Sequence, residues 1–200
     1  DEVAGGEGGS AVVEATSPIA MAKAIKNEAE MRGMVEAHLR DGVALATFLC
    51  FLEEQMAAGA TMTEVEVDRH ITGLRAKQGG FKQPSFPTIA GEGPNGAVIH
   101  YRAAEGSCRT VTPDSMLLID SGGQYECGTT DVTRTLHTGS PTAHQIATFT
   151  AVLKGNIALS TAVFPPGTPG IAIDALARAP LWSMGLNYRH GTGHGVGAAL

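Results

Sequence analysis

The stretch MLLIDSGGQYECGTTDVTRTLH, Met116 to His137, constrains this chain more than any other. Two runs rich in β-forming residues flank a pair of glycines, Gly122 and Gly123, so the segment reads as an antiparallel hairpin. Each arm holds one aspartate, Asp120 and Asp131, eleven positions apart. With Tyr125 and Glu126 at the tip, residues whose numbers sum to 251 face each other, and the two aspartates become a facing pair on one side of the sheet. Like charges placed opposite each other are destabilising unless a cation compensates them, so the pair points to a divalent metal. The plainer alternative puts one aspartate in the turn and the other in solvent.

A second constellation is His190-Gly-Thr-Gly-His194-Gly-Val-Gly, two histidines four apart among four glycines. The glycines make a stable helix costly, so an irregular or extended segment with close backbone approach is expected. There one imidazole can bind a metal while the other faces a substrate. The competing view is a glycine-rich loop that happens to contain two histidines. A phosphate-cradling loop is disfavoured, since no GxGxxG follows a clear strand and no GK[ST] is present.

His100 lies in GPNGAVIHYR, read as a turn followed by a short strand. A lone strand histidine is usually a packed core residue, but its place after a Gly/Pro-rich loop and just before the hairpin raises its functional weight. Arg134 is an odd number of residues from Asp131, which puts it on the opposite strand face, where it would pair with a carboxylate behind the site. His38, His70, His137 and His144 have no partners at ligand spacing and are read as structural. Cys127 sits at or beside the turn.

Two hundred residues at 43% hydrophobic content allow one sizeable core, and with aromatics at 5% it must rest on aliphatic side chains and Met. The net charge of −6 and the scattered basic residues disfavour nucleic-acid binding. Three cysteines, Cys50, Cys108 and Cys127, form no CxxC or even-numbered framework, so a reducing, cytoplasmic compartment fits best. No apolar run is long enough for a membrane span, and nothing resembles a signal peptide. The chain starts at Asp1 rather than Met and stops at Leu200 within a Gly/Ala/Val run, so both ends read as cut.

Residues 1–16, Gly-rich and acidic, read as a linker, and residues 17–200 as part of one domain. Helical periodicity runs from about Pro18 to Ala58, with Met34, His38, Leu45, Phe48, Leu49 and Leu52 on one face. Thr63-Glu64-Val65-Glu66 is a capping box opening a second helix that ends by Gly79-Gly80. A loop-and-strand region, Phe81 to His137, follows. A third helix starts near Pro141-Thr142, with Ile146, Phe149 and Leu153 on one face. A fourth spans about Ile171 to Met184, shortened or kinked by Pro180. A further strand is expected after it. The fold class is α+β, one complete unit followed by the opening of a second.

SFPTIAGEGPNGAVIHY, LLIDSGGQYECGTTDVTRTLH and HGTGHGVG, in this order, resemble the catalytic domain of aminopeptidase P (Xaa-Pro aminopeptidase) of the cytosolic-type branch. SPIAMAKAIKNEAEMRGMVEAHLRDGVAL resembles its first helix, so the likeness covers about Ser17 to Leu200. The resemblance implies the pita-bread metallopeptidase fold, a curved antiparallel sheet with flanking helices, its second half incomplete here. It implies two divalent metals, with manganese expected, held by two aspartates, one histidine and two glutamates. Asp120, Asp131 and His194 match three of these ligands. His100 and His190 match the two histidines that assist the reaction and contact substrate. The glutamates and a further histidine lie downstream in the family, beyond Leu200, so this stretch alone is expected to be inactive. Cys127 stands where the family commonly has an acidic residue. The implied partners are peptides with proline at the second position, with homodimers expected of the full-length protein. Prolidase-type dipeptidase activity and a non-catalytic binding module are the alternatives.

Overall fold

The computed structural model describes residues 14–199, so most of the segment read as a linker, residues 1–13, lies outside the described residues. The expected continuous first helix is two. Helix α1, Pro18–Ala24, ends at Ile25, whose backbone is extended (φ −95°, ψ 104°). Helix α2, Glu28–Ala57, restarts from a reciprocal capping box. The Asn27 side chain accepts from Glu30 N at 2.9 Å, and Glu30 Oε2 accepts from Asn27 N at 2.9 Å. Apolar periodicity cannot report such a break, because the cap is polar and local. The buried stripe of α2 contains Ala37, Asp41, Ala44, Leu45, Phe48 and Leu52, whereas His38 is exposed.

Strand β1, Met62–Thr63, leads into α3, Glu64–Arg75, which opens on the Thr63–Glu66 capping box read from the sequence. Strands β2, Phe81–Pro84, and β3, Ile89–Glu92, follow, then a 3-10 turn at Gly93–Ala97 and β4, Thr110–Val111. The hairpin supplies β5, Met116–Ser121, β6, Gly123–Tyr125, β7, Gly128–Thr129, and β8, Val132–His137. All pairings are antiparallel, in the orders β1-β4, β2-β6-β7 and β3-β5-β8. Leu45, Phe48 and Leu52 of α2 pack with Val67 and Ile71 of α3 against Leu117 and Ile119 of β5, forming the aliphatic core. Burying side chains of this kind contributes roughly 1.5–3 kcal/mol each. The hairpin tip docks on α2, where a methyl at Gly33 would lie 2.1 Å from the Cys127 carbonyl oxygen.

Helix α4, Ala143–Ser160, starts from a Thr142–Gln145 capping box, and α5, Gly170–Trp182, packs against it. The contact runs through small residues rather than the expected Ile146–Phe149–Leu153 face. Ala151 and Gly155 are buried, and a methyl at Gly155 would lie 2.1 Å from the Ala177 carbonyl oxygen. Ile146 and Phe149 instead border a cleft of about 330 Å³ beside Leu136 and His137. Pro180 falls in the last turn of α5, so the helix closes at Trp182 soon after it. Among the described residues no strand follows α5; the histidine segment has no regular secondary structure.

Candidate metal centre

The hairpin register differs from the expected one by two. Met116 pairs with His137, Asp120 with Thr133, Ser121 with Val132 and Tyr125 with Gly128, so partner numbers sum to 253 and the tip is Glu126–Cys127. Asp120 therefore faces Thr133, not Asp131. A slip of one residue would turn every side chain over, but a slip of two leaves each on its own face. The two aspartates remain diagonal neighbours on one face. Between β7 and β8 the Thr130 hydroxyl substitutes for the ladder, accepting from Gly123 N at 2.8 Å, while the Thr130 carbonyl accepts from Ser85 Oγ at 2.7 Å. A methyl at Gly122 would lie 1.8 Å from that carbonyl oxygen, so this crossing tolerates no side chain.

The electrostatics of the pair suit a divalent cation. Burial, then the neighbouring charge of Asp120, push the Asp131 carboxyl up from its ordinary value, while His194 pulls the other way. Asp120 Oδ1 is buried with no hydrogen-bond partner among the described residues. Buried carboxylates of this kind are normally paired or coordinate metal. His194 Nε2 lies 3.2 Å from Asp131 Oδ2, with the imidazole 62% exposed and the carboxylate 18%. Two oxygen donors and one imidazole suit a divalent cation such as manganese or zinc. Among the described residues no group of three His, Cys, Asp or Glu side chains is arranged closely enough to enclose an ion. The donors meet as a contacting Asp131–His194 pair with Asp120 beside it.

His194 reaches the hairpin because its segment is tied at both ends. Downstream, Thr129 N donates to Gly197 O at 3.1 Å and Gln124 Nε2 to Ala198 O at 3.0 Å. Upstream, Arg178 of α5 donates to Tyr188 O at 2.7 Å and to His190 O at 3.0 Å, and its guanidinium lies 4.0 Å from the Tyr188 ring centroid. The His190 ring stacks on Tyr188 at 4.7 Å. His190 is exposed, its Nδ1 2.7 Å from Gly191 O.

His100 is not on a strand. It is exposed in a turn with φ 54°, the left-handed region that side chains other than glycine rarely adopt. Residues 92–109 around it are gathered by the buried carboxylate of Glu64, which accepts from Glu92 N, Asn95 Nδ2, Tyr101 Oη and Arg109 N at 2.7–2.9 Å. Burial raises the Glu64 pKa, but these donors outweigh it and the net shift is downward. Burial and the Glu64 charge push the Tyr101 hydroxyl up to about 12, which keeps it a donor. No hydrogen bond among the described residues joins His100 to the carboxylates. Arg134, expected to pair with an acid, is exposed and donates to the Thr133 carbonyl.

Sequence reading passed over Glu64, Asp174, Arg178 and Tyr188. The i,i+4 spacing of Asp174 and Arg178 was a visible signal, since such residues meet on a helix. Glu64 gave none, because its partners lie 28 or more residues away. A larger concavity of about 500 Å³ between β1 and α3 contains none of the five candidate residues.

Residues 32–200 match metallopeptidase family M24. Aminopeptidase P2 of Arabidopsis thaliana is 55% identical over 184 residues, covering 92% of this chain and 26% of that protein. The solved X-prolyl aminopeptidase of Caenorhabditis elegans, described as a cytosolic enzyme with a di-nuclear active site, is 45% identical with a TM-score of 0.88, over 91% of this chain and 30% of its own. An Xaa-Pro dipeptidase from Bacillus anthracis, 24% identical with a TM-score of 0.79, covers 90% of this chain and 48% of its own, and shares the fold. The chain thus spans about a quarter to a third of the aminopeptidases it matches. Its helices and antiparallel strands form part of the pita-bread fold of these enzymes, the second half being incomplete. With carboxylates and imidazole converging on that scaffold, the chain belongs to metallopeptidase family M24.

Proposed function

We propose that the full-length protein is a dinuclear metal-dependent aminopeptidase that hydrolyses the peptide bond between an N-terminal residue and proline. The observation that carries this reading is the contact of His194 with Asp131 at 3.2 Å, beside the unpartnered buried oxygen of Asp120. The names of the Arabidopsis and nematode relatives support the substrate class. Asp120, Asp131 and His194 would supply three of the ligands to the metals, manganese being the expected ion. When bound, such a pair of cations lowers the pKa of water and polarises the scissile carbonyl. Asp131, semi-buried between Asp120 and His194, would be the carboxylate that serves both metals. His100, on an exposed turn, moves protons and stabilises charge at the carbonyl, and a proton must also reach the leaving proline nitrogen. His190, stacked on Tyr188, presents its edge to substrate. The nematode relative's cytosolic description supports a cytoplasmic location, and no described helix is long and apolar enough to cross a membrane.

The test is hydrolysis of an Xaa-Pro-Xaa tripeptide and an Xaa-Pro dipeptide by the full-length protein, before and after chelation and manganese return. Tripeptide cleavage lost on chelation, restored by manganese and abolished by Asp131→Asn is expected. Cleavage of the dipeptide alone would make the protein a dipeptidase. Metal binding without turnover of either would make it a binding module.

A further inference from the structure

The two histidines sit in a segment without helix or strand, on glycines 191, 193 and 195 around which a Cβ would meet nothing within 4 Å. Nothing intrinsic to such a backbone fixes where an imidazole points. Downstream of His194 the segment is tied to Thr129 and Gln124, and upstream one side chain gathers it. Arg178 Nε donates to Asp174 Oδ2 at 2.6 Å, Nη1 to Asn187 Oδ1 at 3.1 Å and to Tyr188 O at 2.7 Å, and Nη2 to His190 O at 3.0 Å. Its face covers the Tyr188 ring, whose other contacts are the stacked His190 ring and, through the hydroxyl at 2.7 Å, Thr192. The second oxygen of Asp174 accepts the Thr192 hydroxyl. Residues 187, 188, 190 and 192 are thus all held by one ion pair on one turn of α5, immediately before His194 makes its contact with Asp131.

We propose that Arg178 and Asp174 are positioning residues for the metal centre, a clamp on α5 that fixes the histidine segment so that His194 presents Nε2 to the carboxylate pair and His190 faces outward. The inference rests on the reading of His194 as a metal ligand. Only arginine suits the post, because its planar fork bonds four acceptors at fixed angles while its face stacks on the ring. Lysine keeps the charge and loses both.

The test is a double-mutant cycle in the full-length protein, read as manganese affinity by titration into chelator-stripped enzyme. Arg178→Lys is expected to weaken manganese binding at least tenfold, the usual effect of removing a group that orients a ligand. In a His194→Ala background the same change should have almost no effect, because the ligand it orients is gone. Thr192→Val, a milder loosening of the clamp that leaves the ion pair in place, should weaken binding about threefold, again only when His194 is present. Arg32→Gln, on the exposed start of α2, should change nothing. Equal losses with and without His194 would overturn the proposal and make Arg178 a generic staple. If Arg178→Lys fails to fold by circular dichroism, the Thr192→Val cycle decides by the same criterion. Tripeptide turnover, measured separately, keeps the two readings apart. Non-additive metal binding without turnover upholds the clamp and removes the peptidase, and additive binding with turnover does the reverse.

Discussion

Two arginine–aspartate pairs support the two halves of the candidate centre, and they are built oppositely. Beneath the hairpin, Arg75 and Asp41 have side chains 1% and 2% exposed, joined at 2.7 and 3.0 Å, with Tyr125 donating to Asp41 at 3.1 Å. Beneath the histidine segment, Arg178 and Asp174 are 15% and 30% exposed. The first joins α2 and α3, which already share the aliphatic core, and adds the Tyr125 hydroxyl of β6, so between the two helices it holds what packing also holds. The second bonds the upstream half of a segment with no secondary structure and an exposed surface, whose other ties lie downstream at Gly197 and Ala198. Burial makes a broken pair expensive, because the partner left behind is an uncompensated charge. Exposure makes it cheap in stability while leaving its effect on geometry intact. The buried pair therefore bears mainly on stability, and the α5 pair on where the imidazoles point.

The sharpest way to break this contrast is to remove both arginines in turn. Arg75→Ala should destabilise the full-length protein by about 3–5 kcal/mol, measured from denaturant midpoints. Arg178→Lys should cost no more than about 1 kcal/mol, the ordinary ceiling for a partly solvated pair. Equal costs would mean that burial does not separate them.

The glycines make the same comparison on a smaller scale. Gly122→Ala forces a methyl against the Thr130 carbonyl oxygen and should cost about 3 kcal/mol. Gly193→Ala meets no neighbouring atom and should stay within about 0.5 kcal/mol. Thermal unfolding of both variants would expose a histidine segment more tightly packed than its geometry implies.

Glu64 stands between these extremes, a buried carboxylate that gathers a loop. Glu64→Gln should cost about 2 kcal/mol at neutral pH through lost charge-assisted hydrogen bonds. Because the folded state depresses the Glu64 pKa, its stabilisation is present above the unfolded-state value and is lost as pH falls through the folded one. The gap between wild type and Glu64→Gln should therefore narrow as pH drops below the ordinary glutamate range. A gap that widened on acidification would sink the assignment of Glu64 as an ionised hub.

Much of the hairpin was legible because its signals are local. β-Forming runs, a glycine pair and one aspartate in each arm specify two strands and the shared face of Asp120 and Asp131. The pairing partner was not legible. The tip fell at Glu126–Cys127 because the Thr130 crossing, Gly122 against it and the seat of the tip on Gly33 fix the register through contacts between distant residues. Face survived the error because strand parity repeats every two residues. His100 was misread for a different reason. Val98, Ile99 and Tyr101 look like strand formers, but Glu64 draws the backbone around them into turns that propensity does not encode.

By itself the sequence determined the capping box that opens α3, the aliphatic core, the residue types able to bind a cation and the family to which they belong. Each of these depends on residues close in the chain or on motifs of fixed spacing. Tertiary structure alone decided that His194 meets Asp131, that α4 rests on α5 through Ala151 and Gly155, and that one guanidinium organises the histidine segment. Those outcomes depend on where elements dozens of residues apart come to rest, and close packing selects among arrangements that local patterns leave equally open.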